Sequence, residues 1–216
     1  MVSEPAQQAQ FVVIWMHGLG AGYEDMAGLA QAIAWPNEKI RQIFLQAPDR
    51  PVTINAGMRM PAWYDILGGD LVSRQDCEGV HQSSEQINAV VAEQVKRGIR
   101  REHIFLAGFS QGGAMALYSG LQLDCKLGGM IALSAYIPCV ENLTVQLNKA
   151  TPVFMGYGQM DPLVQPSWTK QSHDHLMYLG FNNTVLKSYR MEHAVCPEEI
   201  TDLQNWFSQQ MVGVSV

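Results

Sequence analysis

The chain has 216 residues, 47% of them hydrophobic and 16% charged. That is enough to bury a sizeable core in one domain and too apolar for a disordered chain. A net charge of −6 argues against nucleic-acid binding, which relies on clustered Lys and Arg, and the dense basic run Lys96-Arg97-Gly98-Ile99-Arg100-Arg101 reads as a solvated helix end, where cations suit the dipole.

Residues 1–10 are polar, without the basic and apolar regions of a signal peptide, and read as a flexible N-terminus. No apolar run approaches the roughly 20 residues of a membrane span. A cytoplasmic location with no stable membrane anchor is therefore expected. The first strand is predicted at Phe11–Met16, a continuous apolar run suited to a strand covered on both faces. A helix follows over 23–34 and a strand over 40–46. The stretch 47–79, rich in Pro, Gly, Met and aromatics, reads as a long irregular excursion lining a site. A helix is predicted over 83–98, started by a capping box of Ser83 and Gln86.

The spacing then predicts a strand over 103–108, a helix over Gln111–Leu121 and a strand over 129–134. A further strand over 152–158, a helix over 167–179 and a strand over 184–189 complete the alternation. The final helix, 197–210, opens on Pro197 and Glu198-Glu199, all favoured in a first turn. Such alternation implies one α/β domain with a mostly parallel central sheet and helices on both faces. The four cysteines, Cys77, Cys125, Cys139 and Cys196, show no C-x-x-C pairing. Reduced thiols, with no disulfide and no metal site, are expected.

Gly108-Phe109-Ser110-Gln111-Gly112 sits between a predicted strand and a predicted helix, the context in which G-x-S-x-G raises a serine as nucleophile. Such a serine needs a general base held by a carboxylate, in the chain order Ser, Asp or Glu, His. His173 and His175 fall inside a helical pattern. His193 lies in a loop between the last strand and the last helix, where a base reaches a strand end. Asp161, in the turn after the 152–158 strand, is the best-placed carboxylate. An oxyanion hole needs two N–H donors. Gln111 supplies one, and the loop His17-Gly18-Leu19-Gly20 supplies the other through Leu19. His17 is a rival base by position, read here as a brace for that loop.

The chain resembles the phospholipase/carboxylesterase family of α/β-hydrolases over nearly its whole length. The matching blocks include His17-Gly18-Leu19-Gly20, Gly57-Met58-Arg59-Met60-Pro61-Ala62-Trp63-Tyr64-Asp65 and Gly108-Phe109-Ser110-Gln111-Gly112-Gly113. Asp161-Pro162-Leu163-Val164 and His193-Ala194-Val195-Cys196-Pro197 complete them. The resemblance implies an α/β-hydrolase fold and a triad of Ser110, Asp161 and His193. It implies an oxyanion hole of Leu19 and Gln111, and candidate acyl-pocket walls at Trp63, Leu67 and Leu71. It departs from the family where Tyr157-Gly158 replaces the usual His-Gly, and where Glu192 replaces the glycine that commonly precedes the catalytic His.

A serine carboxylesterase acting on short-chain esters, without a metal or organic cofactor, is the first expectation. Acyl-protein thioesterase or lysophospholipase activity is the alternative on the same chemistry. A non-catalytic binding module on the same fold is the alternative from another class, and an acyltransferase a third. The partner is a small-molecule ester or thioester. A homodimer is allowed by the resemblance alone.

Overall fold

The computed structural model describes residues 1–144 and 149–211. Its strands are β1 (Val2–Ser3), β2 (Phe11–Met16), β3 (Ile40–Leu45), β4 (Asp49–Val52), β5 (Met58–Pro61), β6 (Ile104–Phe109), β7 (Gly129–Leu133), β8 (Val153–Gly158) and β9 (Thr184–Tyr189). Its helices are α1 (Tyr23–Ala32), α2 (Cys77–Lys96), α3 (Gln111–Leu121), α4 (Pro166–Leu179) and α5 (Pro197–Met211). A seven-stranded sheet runs in the order β1-β3-β2-β6-β7-β8-β9. Every pairing in it is parallel except that of β1 with β3.

Side chains alternate across the sheet and divide the core in two. From β2, Val12, Ile14 and Met16 join the cluster under α2, α3 and α4. Phe11, Val13 and Trp15 join the cluster under α1 and α5. Double-sided burial explains the continuous apolar runs of β2, β6, β7 and β8, all of whose residues are buried except Phe109 at the end of β6. On the α1/α5 face, Phe105, Phe154, Trp206 and Phe207 form a set of edge-to-face rings. Burying each such ring contributes about 2–3 kcal/mol.

Four expectations need correction. The stretch 47–79 is not irregular throughout: β4 and β5 form an antiparallel hairpin, closed through Ala56 and Gly57 at positive φ. The prolines Pro51 and Pro61 masked it, since proline is tolerated only at strand edges and ends. Helix α2 starts at Cys77 rather than Ser83, and its cap is Asp76, whose side chain accepts the Gly79 N–H. Ser83 is fully buried and donates its hydroxyl to the Trp63 carbonyl. Part of the segment expected to be loose is held in place: β1 pairs with β3, and the N-terminal ammonium donates to the Phe44 carbonyl at 2.8 Å.

The fourth correction concerns the cysteines. Cys77 and Cys139 form a disulfide between the start of α2 and the loop after β7, with Cα atoms 5.7 Å apart. Cys125 and Cys196 are free. Beside the disulfide, Gln75 Oε1 accepts the Cys139 N–H at 2.5 Å. The residues stand 62 apart in sequence, so no local spacing announced the pairing. Among the described residues, no cluster of potential ligands could hold a metal ion, and no helix is long and apolar enough to cross a membrane.

Candidate active site

Ser110 stands between the end of β6 and the first residue of α3, with φ 53° and ψ −120°. A non-glycine residue rarely adopts this backbone, and the surroundings must over-determine it. They do. The Ser110 N–H donates to the Leu133 carbonyl at 2.8 Å. A Cβ at Gly108 would collide with the Gly112 backbone, and one at Gly112 with the Met16 carbonyl. Only glycine at both positions lets β2, β6 and α3 meet this closely, which is why the pentapeptide has its form.

His193 lies in the loop between β9 and α5. Its Nδ1 sits 2.7 Å from Asp161 Oδ2, and the Asp161 side chain is fully buried. The other Asp161 oxygen accepts the Leu163 and Val164 N–H groups, both at 2.9 Å. The carboxylate is thus fixed by its own turn and presents one oxygen to the imidazole. Because Nδ1 is engaged, Nε2 is the nitrogen left to handle a proton. A Cβ at Gly158 would collide with the Glu192 and Met191 carbonyls, and the Glu192 side chain is exposed.

The Leu19 loop is held on several sides. The Gly20 N–H donates to the Pro61 carbonyl at 2.8 Å and the Ala21 N–H to the Gly18 carbonyl at 3.2 Å. His17 is fully buried. Its Nδ1 contacts the Gly18 carbonyl at 2.8 Å, and its Nε2 accepts the Ala47 N–H at 3.0 Å. That pairing requires a neutral ring with the proton on Nδ1. Burial holds the His17 pKa below the usual histidine value, against the charges of Asp25 and Glu24. His17 therefore braces the loop. Gln111, as the first residue of α3, has a backbone N–H with no intrahelical partner. Its side chain accepts from the Trp63 N–H and donates to the Tyr64 carbonyl.

These groups open on a cavity of about 870 Å³. Ser110, His193, Leu19 and Gln111 all line it, while Asp161 stands behind His193. Of the three walls expected from sequence, Leu71 lines the cavity; Trp63 and Leu67 are not among its lining residues. Trp63 is buried behind the Leu19 loop and donates its Nε1–H to the His17 carbonyl at 2.9 Å. The walls that sequence missed include Tyr64, Ile66, Tyr136 and Val164. Tyr64 and Tyr136 pair through their hydroxyls at 3.3 Å. Burial pushes the Tyr136 phenol up to about 12 and that of Tyr64 well above its usual value, so this wall is uncharged at any ordinary pH.

The stretch carrying Tyr64 to Leu71 is pinned by two carboxylates. Asp65 accepts the Thr53 N–H and hydroxyl. Asp76 accepts the Asp65 N–H and lies 3.9 Å from Arg50. The sequence did not reveal either pinning role, because Thr53 and Arg50 lie on the unforeseen hairpin and the Asp76–Asp65 contact depends on the fold of this stretch.

The comparisons bear on the family and the fold. The sequence profile of the phospholipase/carboxylesterase family matches residues 1–211. Acyl-protein thioesterase 1 of Debaryomyces hansenii is 35% identical over 216 residues, covering 95% of this chain and 93% of the relative. Among solved structures, acyl-protein thioesterase 2 of Zea mays superposes with a TM-score of 0.81 at 27% identity, covering 97% of both chains. The Bacillus cereus carboxylesterase, at 17% identity, covers 98% of this chain and 93% of its own with a TM-score of 0.80, and so supports the α/β-hydrolase fold alone. On the whole-length profile match and the full-length relatives, this chain belongs to the phospholipase/carboxylesterase family.

Proposed function

We propose that this protein is a serine hydrolase that cleaves acyl thioesters of S-acylated proteins. The observation that carries this reading is the apolar cavity of about 870 Å³ that meets Ser110 and His193, a volume in the upper range for sites that enclose a sizeable ligand. The relatives named acyl-protein thioesterase favour the thioester over the short-chain ester expected first.

In this reading, His193 Nε2 takes the Ser110 proton as the hydroxyl oxygen attacks the thioester carbonyl. Asp161 holds the ring in the Nδ1–H tautomer and stabilises the imidazolium. The carbonyl oxygen becomes an oxyanion on the Leu19 and Gln111 N–H groups. The carbon–sulfur bond breaks, His193 protonates the departing thiolate, and the acyl group stays on Ser110. Water then attacks the acyl-enzyme, giving its proton to His193, and the fatty acid leaves as Ser110 regains its proton. Leu71, Ile66 and Val164 enclose the acyl chain.

The location is constrained from two sides. A cytoplasmic protein would keep its thiols reduced, whereas the Cys77–Cys139 disulfide persists best in an oxidising compartment. Thiol counting on the protein taken directly from cells distinguishes the two.

A chain-length series of acyl thioesters, from acetyl to palmitoyl, with the matching p-nitrophenyl esters, tests the substrate. The proposal expects kcat/KM to rise through the long chains, with thioesters turned over at least as well as esters. An optimum at acetyl or butyryl esters overturns it in favour of a short-chain carboxylesterase.

A further inference from the structure

The cavity at Ser110 straddles the carboxyl edge of the sheet. Tyr64, Ile66 and Leu71 line it from the α2/α3 side, and Leu29, Phe109, Val195 and Ile200 from the α1/α5 side. A hydrolase of the kind proposed above must place two halves of its substrate on either side of the scissile bond, and only one side can receive the proton from His193.

We propose that the limb over α1 and α5 is the leaving-group subsite, and that Asp25 within it selects thiols bearing a positive charge. The assignment of the limbs follows from the proton. With Nδ1 committed to Asp161, His193 delivers through Nε2 to the departing sulfur. The His193 ring rests on Phe109, with centroids 4.7 Å apart, and Phe109 packs into the α1/α5 cluster together with Leu29, Val195 and Ile200. The sulfur that accepts the proton therefore departs over this face, and the acyl chain occupies the opposite limb.

The shape of α1 supports an occupant there. Asp25, Gly28, Leu29 and Ala32 all line the cavity, at the i, i+3, i+4, i+7 spacing of a single helix stripe. Met26, which also lines the cavity, is buried against the sheet with Ala27 and Ala30. Gly28 leaves the groove open, since a Cβ there would meet nothing within 4 Å.

Charge then selects the occupant. Asp25 is the one carboxylate among the residues lining the cavity, and no Lys or Arg is among them. Glu24 stands beside it, and both act on His17 through their charge. A carboxylate at the edge of an apolar groove attracts cations and repels anions. The matching leaving group is the cysteine of an S-acylated peptide with a Lys or Arg close by. This inference rests on the thioesterase reading above.

The test uses octanoyl thioesters that differ only in the thiol: thiocholine (cationic), 3,3-dimethylbutanethiol (its neutral isostere), 2-mercaptoethanesulfonate (anionic) and methanethiol (small). Thiol release is followed for wild type, Asp25→Asn, Asp25→Lys and Gly28→Leu. Wild type is expected to prefer thiocholine to the sulfonate in kcat/KM. That ratio falls about three- to tenfold in Asp25→Asn and further in Asp25→Lys, as expected for one exposed charge, and shrinks with salt. Gly28→Leu, which the open space accommodates, lowers the dimethylbutyl-to-methyl ratio. Charge ratios that are the same in wild type and both Asp25 variants overturn the selection, and an unchanged size ratio in Gly28→Leu overturns the subsite. Failure of wild type to hydrolyse even the methyl thioester overturns the hydrolase reading itself, and the inference with it.

Discussion

His193 Nδ1 and Asp161 Oδ2 lie 2.7 Å apart, while the other oxygen of the same carboxylate accepts two backbone N–H groups of its own turn. One side chain therefore both shapes the turn and sets the tautomer of the ring. Asp161→Asn keeps an oxygen for the turn and loses the acceptor for Nδ1–H. The variant is expected to fold with little change in Tm and to lose kcat by about 10³- to 10⁴-fold. Steady-state kinetics beside a thermal melt separate these two effects, and a variant that keeps its kcat contradicts the assignment.

His17 offers a different test, because it acts only through the loop it braces. His17→Ala removes the acceptor for the Ala47 N–H and the contact to Gly18. We expect kcat to fall about 10- to 100-fold, less than for outright loss of an oxyanion donor, with KM little changed. Burial holds the folded His17 pKa below the ordinary histidine value of 6.5. The unfolded chain then binds a proton that the folded chain refuses, so this contribution to stability is present above 6.5 and is lost as pH falls below it. The acid-side decline in Tm should be shallower in the variant than in wild type.

Glu199 is fully buried in the first turn of α5, against Gly156. Burial, helped by the nearby Asp202 charge, pushes its carboxyl up to about 8. Between the usual glutamate value and that pH, the folded state holds a proton the unfolded state has lost. Stability therefore declines as pH rises across this window, by several kcal/mol at about 1.4 kcal/mol per pKa unit. Glu199→Gln should be more stable than wild type at pH 8, with the difference closing toward pH 5. Parallel melting curves at both pH values would contradict this account.

Cys77–Cys139 closes a loop of 62 residues, worth about 4 kcal/mol in the chain-entropy view of crosslinks. Cys77→Ser should lower Tm accordingly. Because the bond anchors the segment leading from Leu71 to α2, Cys77→Ser should also raise KM for long acyl chains more than for short ones. Unreduced, denatured protein should titrate two thiols and reduced protein four, from its two free cysteines and the disulfide pair.

What the sequence could reveal followed from how local the signal was. Phe11–Met16 coincides with β2 and Gln111–Leu121 with α3, because two-sided burial and a glycine-flanked turn leave their marks within a few residues; Thr184–Tyr189 coincides with β9, a partly exposed edge strand marked by its β-branched and aromatic residues. The start of α2 was lost because Ser83 and Gln86 imitate a capping box, while the true cap, Asp76, precedes a turn weakened by Gly79. The cavity walls depend on tertiary approach. Ile66, Tyr136 and Ile200 come from three distant segments, and nothing in any one segment distinguishes a wall residue from a core residue. Trp63 shows the converse: an aromatic in the right stretch that instead supports the Leu19 loop from behind, through the His17 carbonyl.

The central claim is that Ser110 carries the acyl group. Intact-protein mass spectrometry after rapid acid quench, on wild type and Ser110→Ala mixed with palmitoyl thioester, tests it most directly. The account predicts a palmitoyl adduct on wild type that maps to Ser110 and is absent from the variant, together with loss of thiol release in the variant. An adduct that persists in Ser110→Ala, or turnover that survives the substitution, would contradict it.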